Sequence, residues 1–161
     1  MPGGDRHGWN DLQHYLDIHE STLARYESHF LLENHLEYLL TDEATLLIRG
    51  RLNFAGNLFI EVSKTLEIND RNQVRTIRYK YHAGLAGSEN RPLFRYDNAH
   101  PYPHHPDEHH RHCFRHETWQ EDFPPKWIGR AAWPTLGDVI AELEEWWQET
   151  GRFLFPENDD D

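Results

Sequence analysis

The sequence predicts an α+β protein: an antiparallel β-meander of about four strands, packed by N-terminal helices and a C-terminal helix. Three observations carry this. Apolar residues alternate with polar ones from Leu46 onward, with the period of a half-buried strand. The strand-like runs are joined by short polar links, which makes neighbours antiparallel. Near the C-terminus the period lengthens, and Leu136, Val139, Ile140, Leu143, Trp146 and Trp147 form one helical stripe.

In chain order, residues 1–10 are glycine-rich and read as a loose leader. Residues 11–40 read as one or two helices, with Leu23, Tyr26, Phe30, Leu36 and Leu39 or Leu40 near helical spacing. Ile48, Leu52 and Phe54 share one strand face, and Arg49, Arg51 and Asn53 share the other. Ala55-Gly56-Asn57 is a tight connection to Leu58, Ile60 and Val62, so the two runs form a hairpin. A third run sets Ile77, Tyr79 and Tyr81 against Arg78, Lys80 and His82, and a shorter fourth spans Leu93 to Tyr96. The product is a sheet with one apolar and one basic face. Residues 98–134 hold most of the prolines and read as a long His-rich loop. Thr135 caps the final helix, with Asp138 three residues on, and Gly151 suits its stop. The expected division is an acidic helical extension at 1–43, a single α+β domain at 44–150 and an acidic tail at 151–161.

Composition narrows the function. The chain of 161 residues is 37% hydrophobic and 13% aromatic, enough for one real core. No run approaches the ~18 apolar residues of a spanning helix, so no membrane partner is expected. The single cysteine, Cys113, cannot make an internal disulfide, which fits a reducing cytoplasm. A net charge of −12 excludes a generic nucleic-acid coat. The charge is uneven, however: residues 44–100 are net basic between two acidic ends. Phosphate needs only a local positive patch, because salt screens charges beyond roughly 8–10 Å.

The 13 histidines are the anomaly. His100, His104, His105, His109, His110, His112 and His116 crowd one short stretch after the basic strands. One reading is general acid–base catalysis. An imidazole titrates near ~6.5 and can take or give a proton near neutral pH. Cleavage of RNA through the 2′-hydroxyl needs a base, an acid and cationic donors for the phosphate. Histidines beside Arg95, Arg49, Arg51, Arg78 and Lys80 supply all three. Asp97 is placed to orient an imidazole, and Tyr79, Tyr81 or Tyr96 to stack on a base or donate to phosphate. The second reading is a divalent transition metal held by His104, His105, His109, His110 and His112, although the spacing matches no strong zinc signature. The third is a solvated polar loop. A thiolate nucleophile at Cys113, between Arg111 and Arg115, is a weaker option.

Several of these stretches together resemble the TumE family of toxin–antitoxin proteins. They are Arg95-Tyr96-Asp97-Asn98-Ala99 followed by His104-His105-Pro106 and His109-His110-Arg111-His112, Arg49-Gly50-Arg51-Leu52-Asn53-Phe54, Tyr79-Lys80-Tyr81-His82 and Leu136-Gly137-Asp138-Val139-Ile140. The resemblance covers about residues 44–148. It implies a small cytoplasmic toxin, neutralised by a cognate antitoxin that is often a helix-turn-helix protein, with ribonuclease-type interference with translation as its activity. On matching positions it implies Arg95, Tyr96, Asp97, Asn98, His104, His105, His109, His110 and His112 as site residues. The sequence departs from the pattern in the short spacer between the His groups and in His100-Pro101-Tyr102-Pro103 before them. The tract 113–133 has no counterpart.

The leading expectation is therefore a toxin that acts on RNA without an obligatory metal. His104, His105, His109, His110, His112, Asp97, Arg95 and Tyr96 carry the chemistry. Arg49, Arg51, Arg78, Lys80, Tyr79, Tyr81, Asn98 and His100 bind the substrate. The alternatives are a His-ligated metal-dependent hydrolase or nuclease, and a non-enzymatic protein-binding module. The tryptophans suit a homodimer or antitoxin groove as well as a core.

Overall fold

The computed structural model describes residues 7–42, 44–87, 89, 91–98 and 109–156. Helix α1 (Leu12–Glu27) starts where the Asp11 side chain accepts from His14 N–H at 3.1 Å. A short strand β1 (Asn10–Asp11) precedes it, and β2 (Leu31–Asn34) and β3 (Glu37–Asp42) follow. The long strands are β4 (Thr45–Phe54), β5 (Leu58–Ile68) and β6 (Gln73–Leu85), with β7 (Arg91–Asp97) beside them. Then come β8 (His110–Cys113), β9 (Lys126–Trp127) and helix α2 (Leu136–Trp146). Among the described residues these strands form one antiparallel sheet in the order β2-β4-β5-β6-β7-β8-β9, with β3 on β4 and β1 on β6.

The α+β class and the closing helix agree with the sequence reading; the strand count does not. Nine strands replace the expected four or so. Two segments account for most of the excess. The second part of the stretch 11–40, read as helix, lies instead in strands β2 and β3, each paired to a different part of β4. Leu39 and Leu40 are 37% and 68% exposed, so their spacing is not a buried helical stripe. Gly50 makes the double pairing possible. At its φ of 143° the chain passes so close to the β2–β3 link that a Cβ would stand 2.1 Å from the His35 carbonyl oxygen. Residues 98–134, read as loop, contain β8 and β9. The strand signal of β8 is hidden because His110, Arg111 and His112 are all polar.

One core fills the inner face. Leu52, Phe54, Leu58, Ile60, Val62, Tyr79, Tyr81 and Ala83 pack against Leu136, Val139, Ile140, Leu143 and Trp147 of α2 and the segment after it. Each leucine, isoleucine, valine or phenylalanine among them contributes roughly 1.5–3 kcal/mol on burial. Thr135 and Asp138 cap α2 reciprocally, as their spacing predicts. A smaller cluster of Leu46, Ile48, Leu66 and Val74 lies under Leu12, Tyr15 and Leu16 of α1. Ile77 departs from its expected face. The β5–β6 register shifts between Thr65 and Leu66, and Ile77 is left 48% exposed. No described helix is long and apolar enough to cross a membrane.

His19 is buried beneath α1, where its Nδ1 meets the Tyr38 hydroxyl at 3.0 Å. Burial, and then the Lys64 charge, lower its pKa from 6.5 to about 4. The unfolded chain therefore takes up this proton first as pH falls. The contribution of neutral His19 is whole above pH ~6.5 and is lost toward pH ~4, at most roughly 3 kcal/mol. Urea melts at steps across that window should show wild type taking up about one more proton on unfolding than His19→Gln. Equal slopes would contradict the assignment.

Candidate functional site

Residues opposite one another in an antiparallel pair present their side chains on the same face. Two rows of such partners cross five strands. One runs Arg51, Glu61, His82, Arg95, His112; the next runs Arg49, Ser63, Lys80, Asp97, His110. The sheet thus brings arginines more than 40 positions upstream into line with the histidines of β8. Arg95, Asp97, His110 and His112 form a block of four at the junction of β7 and β8.

Their contacts are close. Asp97 Oδ1 lies 3.1 Å from His110 Nε2, and Asp97 Oδ2 accepts from Arg95 Nε at 3.1 Å. His112 Nε2 stands 3.6 Å from Asp97 Oδ2. Behind that ring, His112 Nδ1 makes a short hydrogen bond to the Glu121 carboxylate. Asp97, His110 and His112 are all buried. Burial, with Arg95 adding to it, lowers the His112 pKa, while the Glu121 and Asp97 carboxylates partly oppose the shift. Neutral His112 must place its proton on Nδ1 to donate to Glu121, so Nε2 turns a bare lone pair toward Asp97. That atom has no hydrogen-bond partner. The arrangement can take a proton at His112 Nε2, orient His110 through Asp97, and hold a metal ion between three donor atoms that lie within 4.8 Å of one another.

Beside the block, His35, Glu37, Arg49, Gly50, Arg51, Glu61, Val62, Ser63 and Lys80 line a groove of about 550 Å³. Lys80 is the Cα partner of Asp97, so the groove runs up to the block. Arg51 is held there by Asn53 at 2.9 Å and lies over the Phe59 ring at 4.0 Å. Arg78 is exposed on β6 opposite Thr65, farther along the same strand.

Other expected site residues face elsewhere. Tyr79 and Tyr81 are fully buried in the core on the opposite side of the sheet, out of reach of a ligand on the basic face. Tyr96 also points inward, and its hydroxyl donates to Glu142 of α2 at 2.8 Å. Burial and then Glu142 push its pKa up, so it stays protonated. Arg111 reaches the same Glu142 and donates to Cys113 Sγ at 2.8 Å, which leaves Cys113 on the face away from Asp97. His109 stacks on Tyr79 and Trp133, and its Nδ1 meets the Tyr79 hydroxyl at 3.0 Å. Asn98 serves the backbone at the β6 bulge: its Oδ1 accepts from Tyr79 N–H and its Nδ2 donates to the Ile77 carbonyl. His100, His104 and His105 lie outside the described residues.

Sequence reasoning missed Glu121. It comes from the tract without a counterpart, where the chain turns back after β8 and Asp122 N–H donates to the Cys113 carbonyl at 2.8 Å. The polar turn 116–118 between Phe114 and Glu121 was the available signal.

The basic sheet face thus carries a buried Asp–His–His cluster. The profile of the family described as Toxin TumE matches residues 19–151, most of the chain, so the chain belongs to the TumE toxin family. The match begins well before the motifs at 44–148. No curated protein and no solved structure matches significantly.

Removing Glu142 tests the separation of the two faces. Glu142→Ala strips the acceptor from the Tyr96 hydroxyl and from the half-buried Arg111 guanidinium, and should cost roughly 1–3 kcal/mol in urea denaturation. The His110 and His112 imidazole NMR signals, on the other face, should stay in place. Their displacement would show that the faces are coupled.

Proposed function

We propose that this toxin cleaves RNA phosphodiesters in the cytoplasm by general acid–base chemistry at Asp97, His110 and His112. The observation that carries this reading is the alignment of those three residues with Arg95, Lys80, Arg49 and Arg51 on one sheet face. His112 Nε2 takes the proton of the 2′-hydroxyl, whose oxygen attacks phosphorus. The bond from phosphorus to the 5′-oxygen breaks, and that oxygen takes a proton from His110, which Asp97 orients. Arg95 and Lys80 offset the charge that builds on the phosphoryl oxygens, and Arg49 and Arg51 hold the flanking phosphates in the groove. The partner is an antitoxin, as for toxins of this kind, here proposed to be a helix-turn-helix protein.

A metal-dependent reading is favoured by one specific observation. A histidine gripped from behind by a carboxylate, its other nitrogen buried and without a partner, is a common metal-ligand arrangement, and Glu121–His112 has it. Asp97 and His110 complete a two-histidine, one-carboxylate set suited to zinc or manganese. When bound, such an ion supplies Lewis-acid polarisation of the phosphoryl oxygen. The Arg95 guanidinium on the same carboxylate opposes a second cation there.

The test is cleavage of a labelled oligoribonucleotide in EDTA. Wild type should cut and leave a 2′,3′-cyclic phosphate, and the all-2′-deoxy strand should stay whole. Asp97→Asn, His110→Ala and His112→Ala should each lose about 10²–10⁴-fold. Cleavage abolished by EDTA and restored by zinc or manganese would replace this mechanism with the metal-dependent one. Full cleavage by all three variants would remove the site.

A further inference from the structure

We propose that the cavity between α1, the first turn of α2 and the inner face of β5–β6 binds a small aromatic carboxylate, held by the Lys64 ammonium. The cavity holds about 260 Å³ and is walled by Tyr15, Ile18, His19, Tyr81, Trp133 and Leu136 around Lys64.

Lys64 takes an inward place on β5, in the alternation that puts Leu58, Ile60 and Val62 in the core. It is only 6% exposed. Its ammonium donates to the Tyr15 hydroxyl and lies 5.1 Å from the centre of the Tyr15 ring. Among the described residues, no carboxylate lines the cavity and Lys64 makes no ion pair. A buried ammonium facing neutral groups alone is costly unless an anion joins it. Burial pushes the Lys64 pKa down, and the adjoining Tyr81 and Tyr15, whose oxygens accept from the ammonium, push it up.

One further polar atom is left over at the same place. His19 Nε2 is buried, belongs to a cavity-lining residue and has no hydrogen-bond partner. Burial also pushes the Tyr81 hydroxyl up to about 12, so it remains a donor. Leu136 and Gly137, at the start of α2, line the same cavity, and N–H groups in a first helical turn have no partner within the helix. The acid nearest them, Asp138, accepts from Thr135 N–H at 2.9 Å in the capping box. One ammonium with neutral donors matches a monoanion better than a phosphate dianion. The Ile18, Leu136 and Trp133 walls call for an apolar body behind the carboxylate. The site lies across the sheet from Asp97, so its test is independent of RNA cleavage.

Calorimetry and thermal melts of the whole chain at neutral pH, with benzoate, indole-3-carboxylate, benzamide and phenyl phosphate, decide the matter. At least one carboxylate should bind with a Kd below roughly 1 mM, and benzoate should bind about tenfold tighter than benzamide or phenyl phosphate. Lys64→Met should fold with an equal or higher Tm, lose carboxylate affinity about tenfold or more, and keep RNA cleavage unchanged. If Lys64→Met does not fold, the comparison of benzoate with benzamide in wild type decides alone. No carboxylate binding with a Kd below roughly 1 mM, equal binding of benzamide, or full affinity in Lys64→Met would overturn the site. Tighter binding of phenyl phosphate would overturn the choice of carboxylate.

Discussion

The antiparallel register of β6, β7 and β8 is the constraint on which the site depends. Pairing of Lys80 with Asp97, and of Asp97 with His110, puts a carboxylate between a cationic strand and a histidine strand. A slip of one residue would send Asp97 into the core and turn Tyr96 outward. Several contacts hold the register. Asn98 stitches the end of β7 to the bulged backbone of β6, and Tyr96 and Arg111 are anchored through Glu142 on the far face.

Alternation also explains why neighbours in sequence do such different things. Arg95 and Asp97 lie on the basic face, while Tyr96 between them braces α2. His110 and His112 meet Asp97, while Arg111 between them joins Glu142 and lies 5.2 Å from the centre of the Phe94 ring. The inner face therefore supplies rigidity, and the outer face carries the charged groups and the two buried imidazoles. A histidine-rich segment gains meaning once its residues are divided between these two sides: His109 belongs to an aromatic stack, His110 and His112 to the Asp97 block.

Much of this was legible in the sequence, for definite reasons. β4, β5 and most of β6 carry clean alternation, and the Thr135–Asp138 cap and the stripe from Leu136 to Trp147 announce α2. The basic face followed from the same alternation. What stayed hidden depends on contacts distant in sequence. β2 and β3 exist because Gly50 lets the His35–Leu36 link cross β4, and nothing within 31–42 reveals that. β8 is wholly polar on the outer side because its partners there are a carboxylate and a guanidinium. Glu121 acquires its role only when the chain after Cys113 folds back. Tyr79 and Tyr81 misled in the other direction, since an aromatic in a basic strand reads as a stacking platform until the core claims it.

The most direct measurement is side-chain NMR of the histidines and arginines during titration with an uncleavable all-2′-deoxy oligonucleotide. The account predicts that the His110 and His112 imidazole signals and the Arg95 guanidinium signal move together and saturate at one ligand concentration. Unmoved signals at those three residues, with the strand bound elsewhere on the protein, would contradict it.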